Sequence, residues 1–131
     1  MSDVARPACV LVVEDESHVS SMLEQVLLHL GYGVLLAQCL SDGIELARTA
    51  PIDVAMLDLN LAGDDSFPIA DELRQRGIPF LFSSGHTTKN LPEPYRDESV
   101  LQKPYGEAQL EQALSALLGA NAAPSASLAG H

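Results

Sequence analysis

Ala8-Cys9-Val10-Leu11-Val12-Val13-Glu14-Asp15-Glu16 is an unbroken apolar run that stops abruptly at three consecutive acids. A run of this kind, rich in valine and without polar alternation, reads as a strand buried on both faces of a parallel sheet. Immediately downstream, Val19, Met22, Leu23, Val26, Leu27 and Leu30 recur at helical spacing, and Gly31 offers a stop. The same unit then repeats. Val34–Ala37 reads as a second strand, and Ser41–Ala50 as a helix opened by Ser41 and Asp42 and closed before Pro51. Val54–Leu57 reads as a third strand, and Phe67–Arg76 as a helix with Pro68 in its first turn and Gly77 at its end. Pro79–Phe82 and Val100–Gln102 read as the fourth and fifth strands, and Leu110, Ala113, Leu114, Leu117 and Leu118 mark the apolar stripe of a last helix.

Strands alternating with helices predict an α/β fold: a doubly wound, five-stranded parallel sheet with helices on both faces. The flavodoxin-like strand order 2-1-3-4-5 makes the first and third strands neighbours, and ligands in such sheets bind beyond the carboxyl ends of the strands. The expected organisation is a flexible N-terminus over residues 1–7, a folded domain over 8–118 and a flexible, low-complexity tail over 119–131. At 131 residues one domain is expected, and 47% hydrophobic content is enough for a globular core. The formal net charge of −11, with only 7 Lys and Arg, argues against a nucleic-acid partner. No run is apolar enough for a membrane span, and the start lacks a signal-peptide layout, so a cytoplasmic location is expected. Cys9 and Cys39 have no metal-ligand spacing and read as small buried side chains.

The predicted strand order carries Glu14, Asp15 and Asp58 to one crevice. Clustered carboxylates repel unless a cation sits among them, and an oxygen-only set suits Mg²⁺. Lys103 follows the fifth strand and can reach over the same crevice as a point charge. Ser83-Ser84-Gly85 ends the fourth strand, where a hydroxyl can donate to a bound anion. A carboxylate nucleophile, a divalent metal, an ammonium and a hydroxyl are the parts that phosphoryl transfer to aspartate requires. No Gly-rich phosphate loop, Cys/His metal set or Ser-His-Asp arrangement can be assembled. Taken singly, Glu14-Asp15-Glu16 is equally a helix N-terminus favoured by the macrodipole, Lys103 an exposed lysine and Ser84 a turn hydroxyl. Their common placement at strand ends favours the joint reading.

These residues resemble the receiver domain of two-component response regulators, over Ala8–Leu118. The matching stretches are Val10-Leu-Val-Val-Glu-Asp-Glu16, Leu57-Asp-Leu-Asn-Leu61, Pro79-Phe-Leu-Phe-Ser-Ser-Gly85 and Gln102-Lys-Pro-Tyr105. The third is similar to that of a single-domain receiver subfamily with Pro-Phe-x-Phe-Ala-Thr-Gly there. The resemblance implies a free-standing switch in which Asp58 is the phosphoacceptor. It implies that Asp15 binds Mg²⁺ directly, that Glu14 assists through water, and that Asn60 supplies its backbone carbonyl to the metal and turns its side chain to the site. Ser84 is then the hydroxyl that meets the phosphoryl group, and Lys103 the partner of the acceptor. The implied donor is a histidine kinase or histidine phosphotransfer protein. Signal output goes to a downstream protein target, with the chain a monomer or weak dimer and not a classical enzyme.

The chain departs from that pattern at three places. Val100 stands where a switching Tyr or Phe is usual. The stretch His86–Ser99 contains Pro92 and Pro94, so a fourth helix there must be short or irregular. Leu61-Ala62 replaces a common Met-Pro. His86 lies where receivers tune dephosphorylation, although it reads as readily as a plain loop histidine. Asp64-Asp65 reads as a solvated pair opening a helix, and Tyr95 and Tyr105 as half-buried packing residues. Two other function classes remain as alternatives. A pseudo-receiver would keep the fold as an interaction module without phosphorylation. A phosphohydrolase of the haloacid dehalogenase class would also use an Asp nucleophile, but it needs a second acid where Asn60 stands. A flavodoxin-like ligand module lacks its phosphate-cradling loop.

Overall fold

The computed structural model describes residues 7–85 and 91–130. Seven strands occur among them: β1 (Cys9–Val13), β2 (Gly33–Ala37), β3 (Val54–Asp58), β4 (Asn60–Leu61), β5 (Asp64–Asp65), β6 (Phe80–Ser84) and β7 (Ser99–Gln102). The helices are α1 (Ser17–His29), α2 (Leu40–Thr49), α3 (Phe67–Gln75) and α4 (Glu107–Gly130), with a single 3-10 turn at Glu93–Tyr95. Five strands form one parallel sheet in the order β2-β1-β3-β6-β7, the flavodoxin-like order expected, with β6 and β7 as its fourth and fifth strands. Of the crossovers, only that between β6 and β7 shows no α-helix among the described residues, in keeping with the short or irregular element that Pro92 and Pro94 require.

The strands bury both faces because successive side chains point to opposite sides. Leu11, Val13, Ala55, Leu57, Phe80 and Phe82 pack with Ala47, Ile69, Ala70 and Leu73 of α2 and α3. Val10, Val12, Val54, Met56 and Leu81 pack with Leu23 and Leu27 of α1 and Leu110 and Leu114 of α4. Each such fully buried aliphatic side chain contributes about 1.5–3 kcal/mol to burial. Gly31 ends α1 in a left-handed conformation at φ 98°, a position with no steric penalty for glycine alone. Its N–H donates to the Leu28 carbonyl, and that of Tyr32 to the Leu27 carbonyl.

Several local expectations differ from the structure. Asn60–Leu61 and Asp64–Asp65 pair as a small antiparallel hairpin, so the two aspartates, though exposed, lie in a strand and do not open α3. Its turn residues Ala62 and Gly63 both have positive φ, 53° and 98°, as a tight two-residue hairpin turn requires. Cys39 is exposed and Cys9 half-buried, because Cys39 sits at the N-cap of α2, outside the sheet's interior. Tyr95 is buried, not half-buried, whereas Tyr105 is half-buried as expected. The last helix runs to Gly130, past the expected boundary at Leu118, and among the described residues the predicted stripe Leu110–Leu118 packs against the sheet. The expected loose N-terminus, Pro7 apart, and His86 lie outside the described residues.

Candidate functional site

The site is assembled by strand register. Val13 pairs with Leu57, and Asp58 with Ser83, so the residues that follow β1 and those that end β3 and β6 share one edge of the sheet. The Glu14 N–H donates to the Ala37 carbonyl at 3.0 Å, which extends the β1–β2 ladder by one residue and fixes where the first acid departs. On the far side, the Lys103 N–H donates to the Ser84 carbonyl at 2.7 Å, so the lysine leaves β7 from an ordered strand end. A cis peptide joins Lys103 to Pro104.

Glu14, Asp15 and Asp58 each bring one carboxylate oxygen within 4.8 Å of the others, a grouping that can hold a metal ion. Glu14 and Asp58 are buried and Asp15 is exposed, so the cluster has a closed floor and an open mouth. The Lys103 ammonium lies 3.3 Å from Glu14 Oε1 and 3.4 Å from Asp58 Oδ2. The Asn60 N–H donates to Asp58 Oδ1 at 3.2 Å, which orients the carboxylate and leaves its second oxygen toward the lysine. Ser84 is buried at the end of β6, one residue past the Ser83 that pairs with Asp58, and its carbonyl accepts the Lys103 N–H. The Asn60 side chain does not turn into the site: its amide oxygen accepts the Gly63 N–H at 2.7 Å and closes the hairpin.

Burial and the neighbouring Asp58 charge push the Glu14 carboxyl above its ordinary range, against the opposing pull of the Glu16 N–H and Lys103. For Lys103, burial opposes the charged form, but the Asp58 and Glu14 carboxylates together outweigh it and raise the pKa. Tyr105 is pushed up to about 12, first by burial and then by Glu14 and Asp58. At all three groups the carboxylate charge of the crevice raises the pKa, second to burial at Glu14 and Tyr105 and against burial at Lys103.

The structure thus draws Glu14, Asp15, Asp58 and Lys103 together, sets the Asn60 N–H on Asp58, and places Ser84 at the neighbouring strand end. The Asn60 N–H on Asp58 had no signal in the sequence, since it depends on the local backbone turn that follows β3.

The family model for the response regulator receiver domain matches residues 10–115. KdpE, the KDP operon transcriptional regulatory protein of Escherichia coli K12, is 30% identical over 121 residues, covering 89% of this chain and 54% of KdpE. The transcriptional regulatory protein DltR of Streptococcus agalactiae is 32% identical over 74 residues, 55% of this chain and 33% of DltR. The chain therefore spans about half the length of the curated relatives, or less. Among solved structures, SdrG of Sphingomonas melonis Fr1 superposes with a TM-score of 0.75 at 34% identity, over 88% of this chain and 99% of SdrG. A response regulator receiver protein of Sinorhizobium medicae gives 0.77 at 26%, over 88% and 98%. The receiver domain of the sensor histidine kinase PA1611 of Pseudomonas aeruginosa PAO1, known with magnesium coordinated in its active site cleft, shares the fold at 24% identity, with a TM-score of 0.71 over 87% and 99%. By fold, by strand-end residues and by a match over most of its length, this chain belongs to the response regulator receiver domain family.

Proposed function

We propose that the chain accepts a phosphoryl group on Asp58 from a phosphohistidine of a histidine kinase or histidine phosphotransfer protein, and passes the signal on through protein contact. The observation that carries this reading is the placement of Asp58 at a strand end, with one oxygen held by the Asn60 N–H and the other 3.4 Å from the Lys103 ammonium. In the transfer, the Asp58 carboxylate oxygen attacks phosphorus, the P–N bond of the phosphohistidine breaks, and the imidazole nitrogen leaves with its electron pair and takes up a proton. Lys103 offsets charge on the phosphoryl oxygens, and Ser84 supplies a hydroxyl to one of them. The chain is in this reading a phosphoacceptor that promotes its own phosphorylation and hydrolysis.

The donor set fits Mg²⁺: all ligands are hard oxygens, and three carboxylates bring an oxygen each within 4.8 Å of one another. Asp15 and Asp58 would hold it through their carboxylates and Asn60 through its backbone carbonyl, with Glu14 assisting. Bound there, Mg²⁺ would neutralise charge that develops on the phosphoryl oxygens. Among the described residues no helix is long and apolar enough to cross a membrane.

The test is incubation with Mg²⁺ and acetyl phosphate, read by intact mass. One acid-labile phosphate is expected on the natural chain, none without Mg²⁺, and none in Asp58→Ala. A phosphate that survives Asp58→Ala rejects the assignment, and absence of any adduct on the natural chain points to a pseudo-receiver.

A further inference from the structure

The connection entering β7 is tied to α3 by a group of side chains remote from the acidic crevice. Tyr95 lies flat on Phe67, the first residue of α3, with ring centroids 4.3 Å apart and an interplanar angle of 8°. Its hydroxyl donates to Asp71 Oδ1 at 2.7 Å. One turn further along α3, Arg74 pairs with Glu98 Oε2 at 2.6 Å, donates to the Pro94 carbonyl, and sets its guanidinium 4.8 Å from the Tyr95 ring centre. A single helix thus grips both ends of the 94–98 segment.

The same aromatic pair also touches the strand that ends at the site. Phe82 of β6 meets Phe67 edge-on at 5.6 Å and Tyr95 at 6.2 Å. Two residues on, and on the same side of the strand by the period-2 rule, is Ser84. Val100, which pairs with Phe82 in register, is small enough to leave this aromatic space to Tyr95. Phe67 is reached from Asp58 through the short β4–β5 hairpin. A displacement at either Ser84 or the Asp58 loop therefore arrives at one stacked pair of rings. The pair is restrained on its outer side by a hydroxyl–carboxylate bond and a partly exposed ion pair, contacts that break more readily than core packing.

We propose that this latch is the moving part of the switch: loading of Asp58 shifts Phe82 and Phe67, Tyr95 leaves Asp71, and the 93–98 segment is released from α3. The inference rests on the phosphoacceptor reading of Asp58, and the experiment separates the two. Hydrogen exchange of the full chain is followed by mass spectrometry in Mg²⁺, with and without beryllofluoride as a stand-in for the aspartyl phosphoryl group. Peptides over 58–61 and 102–104 report loading, and peptides over 93–98 report the latch. Loading is expected to slow exchange in the first set and to speed it at least about fivefold in the second. Tyr95→Phe keeps the ring stack but loses the bond to Asp71. It should exchange fast at 93–98 before loading and change less than about twofold after it, and Asp71→Ala should do the same from the other side.

Protection at the site with unchanged exchange at 93–98 in the natural chain overturns the latch and leaves the phosphoacceptor standing. So does a full response in Tyr95→Phe. No protection at 58–61 or 102–104 overturns both.

Discussion

The Lys103 ammonium lies 3.3 Å from the Glu14 carboxylate, although 89 residues separate the two in the chain. The same ammonium is 3.4 Å from Asp58, so one cation is shared between two buried acids. Removing it by Lys103→Ala leaves both carboxylates uncompensated in a desolvated crevice. Because the lysine is itself partly exposed, the expected loss is about 1–3 kcal/mol, below that for a fully buried pair. Mg²⁺ should restore part of it, since a divalent ion supplies the missing charge through binding linkage. Thermal melts with and without Mg²⁺ are expected to show a larger Mg²⁺-induced rise in Tm for Lys103→Ala than for the natural chain. An equal rise in both would mean that the lysine and the metal do not answer the same charge.

Asp15 is the exposed member of the acidic group, and its role separates a metal site from a mere helix N-terminus. Asp15→Asn keeps the shape and removes one negative ligand. Mg²⁺ affinity, measured by calorimetric titration, should fall at least about tenfold, while stability without metal stays within about 0.5 kcal/mol, as for other surface changes. Unaltered Mg²⁺ affinity would count against Asp15 as a ligand.

How much of this could be read from the residues alone differs by element. The β1 run, the α1 stripe and the acids at Glu14 and Asp58 were legible, because a strand buried on both faces has a composition unlike any loop. The alternation of elements made a parallel sheet legible, and the flavodoxin-like order among the few it allows brings Glu14, Asp15, Asp58 and Lys103 together. The hairpin at Asn60–Asp65 was not legible: it has no polar alternation, and its first turn residue is Ala62, which seldom takes a positive φ. Nor was the bond from Tyr95 to Asp71, since neither residue belongs to a motif and their contact depends on how the β6–β7 connection lies on α3. The position of Cys39 outside the sheet's interior was not legible because, flanked by Gln38 and Leu40, it gives no sign in the sequence of whether it enters the sheet or caps the next helix.

Ala62 offers a direct test of the hairpin. At φ 53° its Cβ crowds the following carbonyl, which costs about 1–2 kcal/mol relative to the right-handed region. Glycine removes that strain but adds freedom to the unfolded chain worth about 0.4–1 kcal/mol. Ala62→Gly is therefore expected to stabilise the protein by about 0.5–1 kcal/mol in urea unfolding, as the difference of those two effects. A loss of stability would show that the turn at 62–63 is not left-handed.

Gly43 of α2 faces Ile69 of α3. A Cβ placed there would lie 2.5 Å from Ile69 Cδ1 and 3.4 Å from Val13, and Ile69 is fully buried and cannot swing into solvent. Alanine at 43 gains about 1 kcal/mol of helix propensity but overpacks the core at a cost of about 1–3 kcal/mol. Gly43→Ala is expected to destabilise by about 1 kcal/mol on balance. Ile69→Val removes the clashing methyl, so the double variant should be more stable than the sum of the single effects predicts, by about 0.5 kcal/mol or more. Strict additivity would mean that the helices do not meet at this pair.

Tyr105 reports on the electrostatics of the crevice without belonging to it. Its phenol is pushed up to about 12 by burial first and by Glu14 and Asp58 second. A phenol whose folded pKa lies above its ordinary value of 10.0 holds its proton in the folded state after the unfolded chain has lost it. Its contribution to stability is thus complete below pH 10 and is lost as pH rises from there toward about 12. Glu14→Gln deletes one of the two charges but none of the burial, so the phenolate absorbance of Tyr105 should appear at lower pH, yet still above 10.0. Tyr105→Phe identifies the signal by difference. If Glu14→Gln leaves the Tyr105 titration where it was, the Glu14 charge does not reach the phenol, which is then held up by burial and Asp58 without it.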